Sequence, residues 1–378
     1  MFRFKALLAA TVFLPFAMPA SAQIKIGVIL SITGPTAAQG IGYKNAVDLL
    51  PTEMAGQTVT YLVRDDGGDP TTGLTIARKL IAEENVDAFI GPAISPSVTS
   101  VLPVSSEAKV PMVAMSPTVI DTTKYPYGFG NAQPIKMMVA GVVDHMKAHG
   151  AKTTGFIGFN DGWGDNVWNA LNSDIPGSGI EIVDEERYAR SDASVQPQVL
   201  KALTHHPDVM MLGGSATPGA LPNITLTQRG YKGQVYNNHG VVSGEYIRIG
   251  GAAVEGCIAP TGPLVVYDQL PEDNVVKPVA TAFMTRYLAK FGPQSRNAFA
   301  GYTYDAAMII QAGVPTALKA GKPGTVEFRD GLKSGMEQVH ELIGTHGVYT
   351  MSATDHTGMD ARSRVMVQVK GGAWTLIQ

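Results

Sequence analysis

The feature that most constrains this chain is a regular alternation. Strand-length apolar runs are followed by helix-length segments from Ile24 onward, and the pattern continues as far as Asn237. Segments that alternate in this way build a parallel sheet with helices on both faces. The first run, Ile24-Lys25-Ile26-Gly27-Val28-Ile29-Leu30, breaks at Ser31-Ile32-Thr33-Gly34-Pro35, and a helix is expected over Tyr43–Met54. A strand over Val59–Arg64 ends in the acidic turn Asp65-Asp66-Gly67-Gly68-Asp69, where Asp69 can cap a helix that has Pro70 in first position. Asp65, Asp66 and Asp69 lack the spacing of a calcium loop and read as a solvated turn and cap. Strand 87–90, helix 96–108, strand 111–115 and helix 133–149 complete this series, the last helix with Ile135, Met138, Val139, Val142, Val143 and Met146 at helical spacing.

The alternation then restarts with strands expected at 154–159, 180–188, 209–212 and 234–237, and helices at 164–174, 195–203 and 218–228. Two long helices are expected at 275–291 and 299–319, then a strand-rich tail from Val348 in which Val365, Val367 and Val369 alternate. A tail of that size cannot form a domain alone. The long helices are therefore expected to complete the first half and the tail strands the second, so that the chain crosses between halves more than once. No Gly-, Pro- or Ser-rich tether separates them.

Composition narrows the function classes. Of 378 residues 45% are apolar, which excludes a disordered chain. The 29 basic against 32 acidic side chains give no footprint for nucleic acid. Arg3 and Lys5 precede an apolar run from Ala6 to Met18 and then Ala20-Ser21-Ala22, which reads as a secretory leader cut after Ala22. The mature chain is expected to be soluble and exported, to the periplasm. Its one cysteine, Cys257, cannot form an internal bridge and reads as a small buried residue.

In open parallel sheets ligands bind beyond the carboxyl ends of the strands. Two first-half strands end in Ser95-Pro96 and Ser116-Pro117-Thr118. Ser95 suits an N-cap with Pro96 behind it, leaving helix N–H groups that favour an anion; the plainer reading is a serine that only caps its own helix. In the second half the corresponding segments carry Trp163, Ser215 and His239, each of which could equally be a structural residue. Enzyme motifs fail: there is no G-x-S-x-G elbow, P-loop, G-x-G-x-x-G or H-E-x-x-H. No catalytic residue, metal or cofactor is expected.

These residues together resemble the periplasmic substrate-binding proteins of ABC importers, specifically the branched-chain amino acid (Leu/Ile/Val) binding family. The resemblance spans nearly all of the mature chain, through Thr33-Gly34-Pro35, Asp69-Pro70, Ile90-Gly91-Pro92, Ser116-Pro117, Trp163-Gly164-Asp165, Arg229-Gly230-Tyr231, Glu255-Gly256 and Tyr304-Asp305-Ala306. It implies a type I periplasmic-binding-protein fold: two Rossmann-like lobes with parallel-rich sheets, joined by a three-crossing hinge, with the ligand enclosed between them. Lobe 1 would comprise 23–138 and 265–345, and lobe 2 139–264 and 346–378. A ligand carboxylate would rest on Ser95, Ser116 and Thr118.

Departures from the family bear on the ligand. The resemblance aligns His239 with an acidic residue that would hold an amino acid's ammonium group; burying an ammonium without such a partner costs several kcal/mol, unless Asp165 or Asp161 compensates. Gln39 and Ser215 replace tyrosines of some relatives, Trp163 stands where a tyrosine is frequent, and Phe299 sits where a ring closes the pocket. Gly68 and Ile94 occupy the positions of the relatives' disulfide. The expected function is a monomeric receptor that captures an aromatic or similar organic acid and delivers it to a membrane permease and its ATPase. The alternative ligand is a branched-chain amino acid; a sensory module and an exported hydrolase are remoter alternatives.

Overall fold

The computed structural model describes residues 23–377; the expected leader lies outside the described residues. Two α/β sheets carry the fold, as the alternation predicts. In the first, strands lie in the order Glu53–Met54, Gln57–Asp65, Ile24–Leu30, Ala88–Ile90, Met112–Ala114, Gly128–Gly130, parallel except for the first short hairpin. The second runs Ala373–Ile377, Val365–Lys370, Ile258–Thr261, Gln234–Asn237, Val209–Gly213, Thr153–Phe159, Glu181–Tyr188. Its first two strands are antiparallel additions to a parallel core. Ile24, Ile26, Val28 and Leu30 enter one buried cluster, whereas Phe156, Ile157, Met210 and Leu212 enter another. Each sheet therefore has its own core.

The first helix departs from expectation at both ends. It spans Ala37–Val47 rather than 43–54. Gly40 and Gly42 look like helix breakers, but Gly40 lets the helix lie against the preceding loop: a Cβ there would stand 1.8 Å from the Ser31 carbonyl oxygen. Pro51 follows the helix, and Ala55 and Gly56, both at positive φ, turn Glu53–Met54 back onto Gln57. The sequence reading also lacked strand Gly128–Gly130 and helix Val326–Met336. Asp69 does cap its helix by accepting from Thr72 N–H, but Asp66 is no solvated turn residue. It is buried, and its carboxylate accepts from the hydroxyls of Ser31 (2.6 Å) and Ser97 (2.8 Å). Cys257 is buried, as read.

The chain passes between the sheets three times. Helix Ile135–Ala148 joins the second core from its first residue, so the first passage precedes 135 rather than following 138. The second is at Gly262, after strand Ile258–Thr261; a Cβ there would lie 2.1 Å from His346 Nδ1. Helices Lys277–Phe291 and Phe299–Ala320 then pack on the first half, joined by Val326–Met336. The last passage comes later than the expected 345. Tyr349 and Met351 belong to the first core and Met359 packs on it, whereas Arg364 Nη1 donates to the Met137 carbonyl oxygen of the second half at 2.5 Å. Among the described residues no helix is long and apolar enough to cross a membrane.

Candidate functional site

The carboxyl ends of both sheets face one cavity between the two halves, the place where ligands bind in open parallel sheets. Seven of the eight residues named from the sequence line it: Gln39, Ser95, Ser116, Trp163, Ser215, His239 and Phe299. Thr118 does not. Its N–H closes a tight turn onto the Ser116 carbonyl oxygen at 2.8 Å, and the chain beyond Pro117 lines a separate groove with Ile120, Pro134 and Asn166.

Ser95 arrives in the site by a different route from the one expected. The cap of helix Ser95–Glu107 is Ile94, in extended conformation with no side-chain bond, and Ser95 is the first helical residue. Its hydroxyl is thus free of capping and pairs with the Ser116 hydroxyl at 2.8 Å. Ser97, tied to Asp66, fixes the same helical turn. Two hydroxyls and the first N–H groups of a helix, which lack intrahelical partners, make this end of the cavity suited to a carboxylate.

The opposite wall comes from the second half. The Trp163 ring lies 5.4 Å from that of His239, and its indole N–H donates to the Gly214 carbonyl oxygen at 3.3 Å. His239 is 4% exposed, and neither ring nitrogen has a hydrogen-bond partner. Burial, aided by nearby His346, pulls its pKa down to about 3, so the imidazole is neutral at pH 7 and offers one donor and one acceptor. Gln39 bridges the walls, its Nε2 donating to the Gly240 carbonyl oxygen at 2.7 Å. Phe299 and Tyr43 close the apolar side, their rings 5.6 Å apart.

The sequence reading missed Arg190, Tyr43 and Tyr302, all in the lining. Arg190 was within reach of the rule that found the others, for it stands two residues beyond strand Glu181–Tyr188. Its Nε pairs with Asp161 at 2.5 Å and its Nη1 donates to Ser215 Oγ at 3.1 Å. Asp161 also accepts from the N–H groups of Trp163 and Gly164, at the start of helix Gly162–Asp174. Among the described residues no Asp or Glu lines the cavity.

Two sheets joined by three passages, with a cavity between their carboxyl ends, give the two-lobed architecture of a type I periplasmic binding protein. Comparison with known proteins agrees: the family model described as periplasmic binding protein matches residues 23–373. The chain belongs to the periplasmic binding protein family, solute-binding proteins of ABC-type transport. Leu/Ile/Val-binding protein homolog 3 of Brucella melitensis is 27% identical over 316 residues, covering 80% of this chain and 81% of that protein. An extracellular ligand-binding receptor of Rhodopseudomonas palustris superposes with a TM-score of 0.92 at 37% identity, covering 94% of this chain and 99% of the other. A solute-binding protein of R. palustris in complex with 4-hydroxybenzoate gives 0.80 at 19% identity, covering 94% and 95% respectively, a likeness of fold alone.

Proposed function

We propose that this chain is exported to the periplasm, with residues 1–22 removed as a leader, and that it captures a small, partly apolar carboxylate for an ABC permease and ATPase. The lobes are taken as 23–134 with 263–359, and 135–262 with 360–377. The observation that carries the ligand class is the cavity end built from the Ser95–Ser116 hydroxyl pair and the start of helix Ser95–Glu107.

Two ligands of that class compete. The names of curated relatives favour a branched-chain amino acid, and they speak for it more strongly than the distant 4-hydroxybenzoate complex speaks for an aromatic acid. One observation supports the organic acid: among the described residues no Asp or Glu lines the cavity, and the nearby Asp161 carboxylate is already paired with Arg190, so an ammonium group would have no free anionic partner. A thermal-shift panel of leucine, isoleucine, valine, benzoate and 4-hydroxybenzoate separates them. A ligand at a hundred times its Kd adds roughly 2.7 kcal/mol of stability. Shifts with the acids alone support the organic-acid reading. Shifts with the amino acids alone overturn it in favour of the relatives' ligand, and no shift with any of the five counts against the carboxylate class. His239→Glu should move preference from the acids toward the amino acids.

A further inference from the structure

The second-lobe end of the cavity holds more hydrogen-bonding capacity than a carboxylate seated at Ser95 and Ser116 can use. Both His239 nitrogens are buried without a partner. Arg190 brings a guanidinium to the same end, with its Nε on Asp161 and its Nη1 on Ser215 Oγ; among the described residues its Nη2 has no partner. The guanidinium carbon lies over the Phe159 ring, 4.4 Å from its centroid, so the group is held from two sides, by this ring and by Asp161. Because Asp161 already balances its charge, a second ligand carboxylate would meet an ion pair rather than a free cation. A neutral oxygen fits better. Of neutral oxygens, a hydroxyl alone can accept from the guanidinium while donating to the unprotonated nitrogen of His239.

Resting on the carboxylate reading above, we propose that Arg190 is a specificity-determining residue and that, with His239, it receives a hydroxyl at the end of the ligand remote from its carboxylate. The ligand is then a hydroxycarboxylic acid. Its length is set by the cavity between Ser95 on one wall and His239 on the other.

Calorimetric titration of two matched pairs tests this: benzoate with 4-hydroxybenzoate, and hexanoate with 6-hydroxyhexanoate. In the unmodified protein the hydroxylated member of at least one pair should bind about tenfold more tightly. In Arg190→Gln the hydroxylated member should lose about tenfold more affinity than its plain partner. A residue that only supports the wall would weaken both members alike. Arg190→Lys, which keeps the charge beside Asp161, guards against misfolding and should retain part of the discrimination. If plain and hydroxylated acids bind equally well, the carboxylate reading stands and the hydroxyl assignment falls. If none of the four acids binds, both fall. Equal losses for both members in Arg190→Gln and Arg190→Lys also overturn the role given to Arg190.

Discussion

The two walls of the cavity differ in how their polar groups are engaged. On the first-lobe wall Ser95 bonds Ser116, the Tyr43 hydroxyl donates to the Met115 carbonyl oxygen at 3.3 Å, and the Tyr302 hydroxyl donates to Gln133 at 2.5 Å. On the second-lobe wall His239 is buried with no protein partner at either nitrogen. A buried polar group left unmatched costs about 1–3 kcal/mol, whereas a matched one contributes a modest gain of about 0.5–1.5 kcal/mol. The first wall is therefore stable as it stands and can present hydroxyls to any carboxylate. The second gains only from a ligand that completes it, so discrimination between acids belongs there.

The largest expected effect comes from removing the body of the second wall. Trp163 is 6% exposed and packs in the second core against His239. Trp163→Ala should lower unfolding stability by about 3–5 kcal/mol in urea titrations, the usual cost of deleting a buried large aromatic. A loss below about 1 kcal/mol would mean that the second wall collapses onto the gap, and Trp163 would no longer be what shapes the pocket around His239.

Acid offers the next test. His239 and His346 have pKa values pulled down to about 3, in both cases mainly by burial. The unfolded chain takes up those protons near pH 6.5 and the folded one does not, so the stability they contribute is present above about 6.5 and is lost as pH falls toward 3. Asp305 acts in the opposite direction. Burial raises its pKa to about 6, outweighing the lowering effect of bonds from Thr345, Tyr349 and His346, so protonation below that value favours the fold. Between pH 7 and 5 each histidine costs about 2 kcal/mol and Asp305 returns roughly 1, leaving a net loss. Urea unfolding at the two pH values should show that loss, and His239→Gln should remove about half of the histidine contribution. A slope unchanged by His239→Gln would mean that His239 does not stay neutral in the folded protein.

How much of this was legible beforehand follows from what each signal encodes. Strand–helix alternation reports burial along the chain, so both sheets could be read, and the strand-end rule led to Trp163, Ser215 and His239 without any contact information. Gln39 and Phe299 came only from the family resemblance. Thr118 was misplaced because the rule says where a strand stops and not which way the chain turns after Pro117. Arg190 was missed because strand Glu181–Tyr188 ends without the glycine or Ser-Pro that marked the other turns. The passage near 360 was hidden because Tyr349 is held to the first half by Asp305 and the Asn131 carbonyl oxygen, contacts 44 and 218 residues away in sequence.

On the first wall, Ser95→Ala should weaken binding of every carboxylate ligand by about 1.5–3 kcal/mol, the range for a hydrogen bond to a charged group, with the melting point of the unliganded protein little changed. Calorimetry on several acids checks it. The comparison of walls predicts a uniform loss here, in contrast to the selective loss expected at Arg190; a loss confined to one acid would place discrimination on the first wall instead.

The smallest effect is expected where the walls meet. Gln39 belongs to the first lobe and its amide donates to the Gly240 carbonyl oxygen of the second at 2.7 Å, beside His239. Such a bond holds the walls together across the ligand without selecting it, and a neutral hydrogen bond contributes about 0.5–1.5 kcal/mol. Gln39→Ala should therefore raise the ligand dissociation rate by about 2- to 10-fold in stopped-flow displacement and change the association rate little, because encounter precedes closure of the walls. The ranking of ligands should be untouched. If ranking changes as well, Gln39 reaches the ligand itself, and the first wall takes part in selection after all.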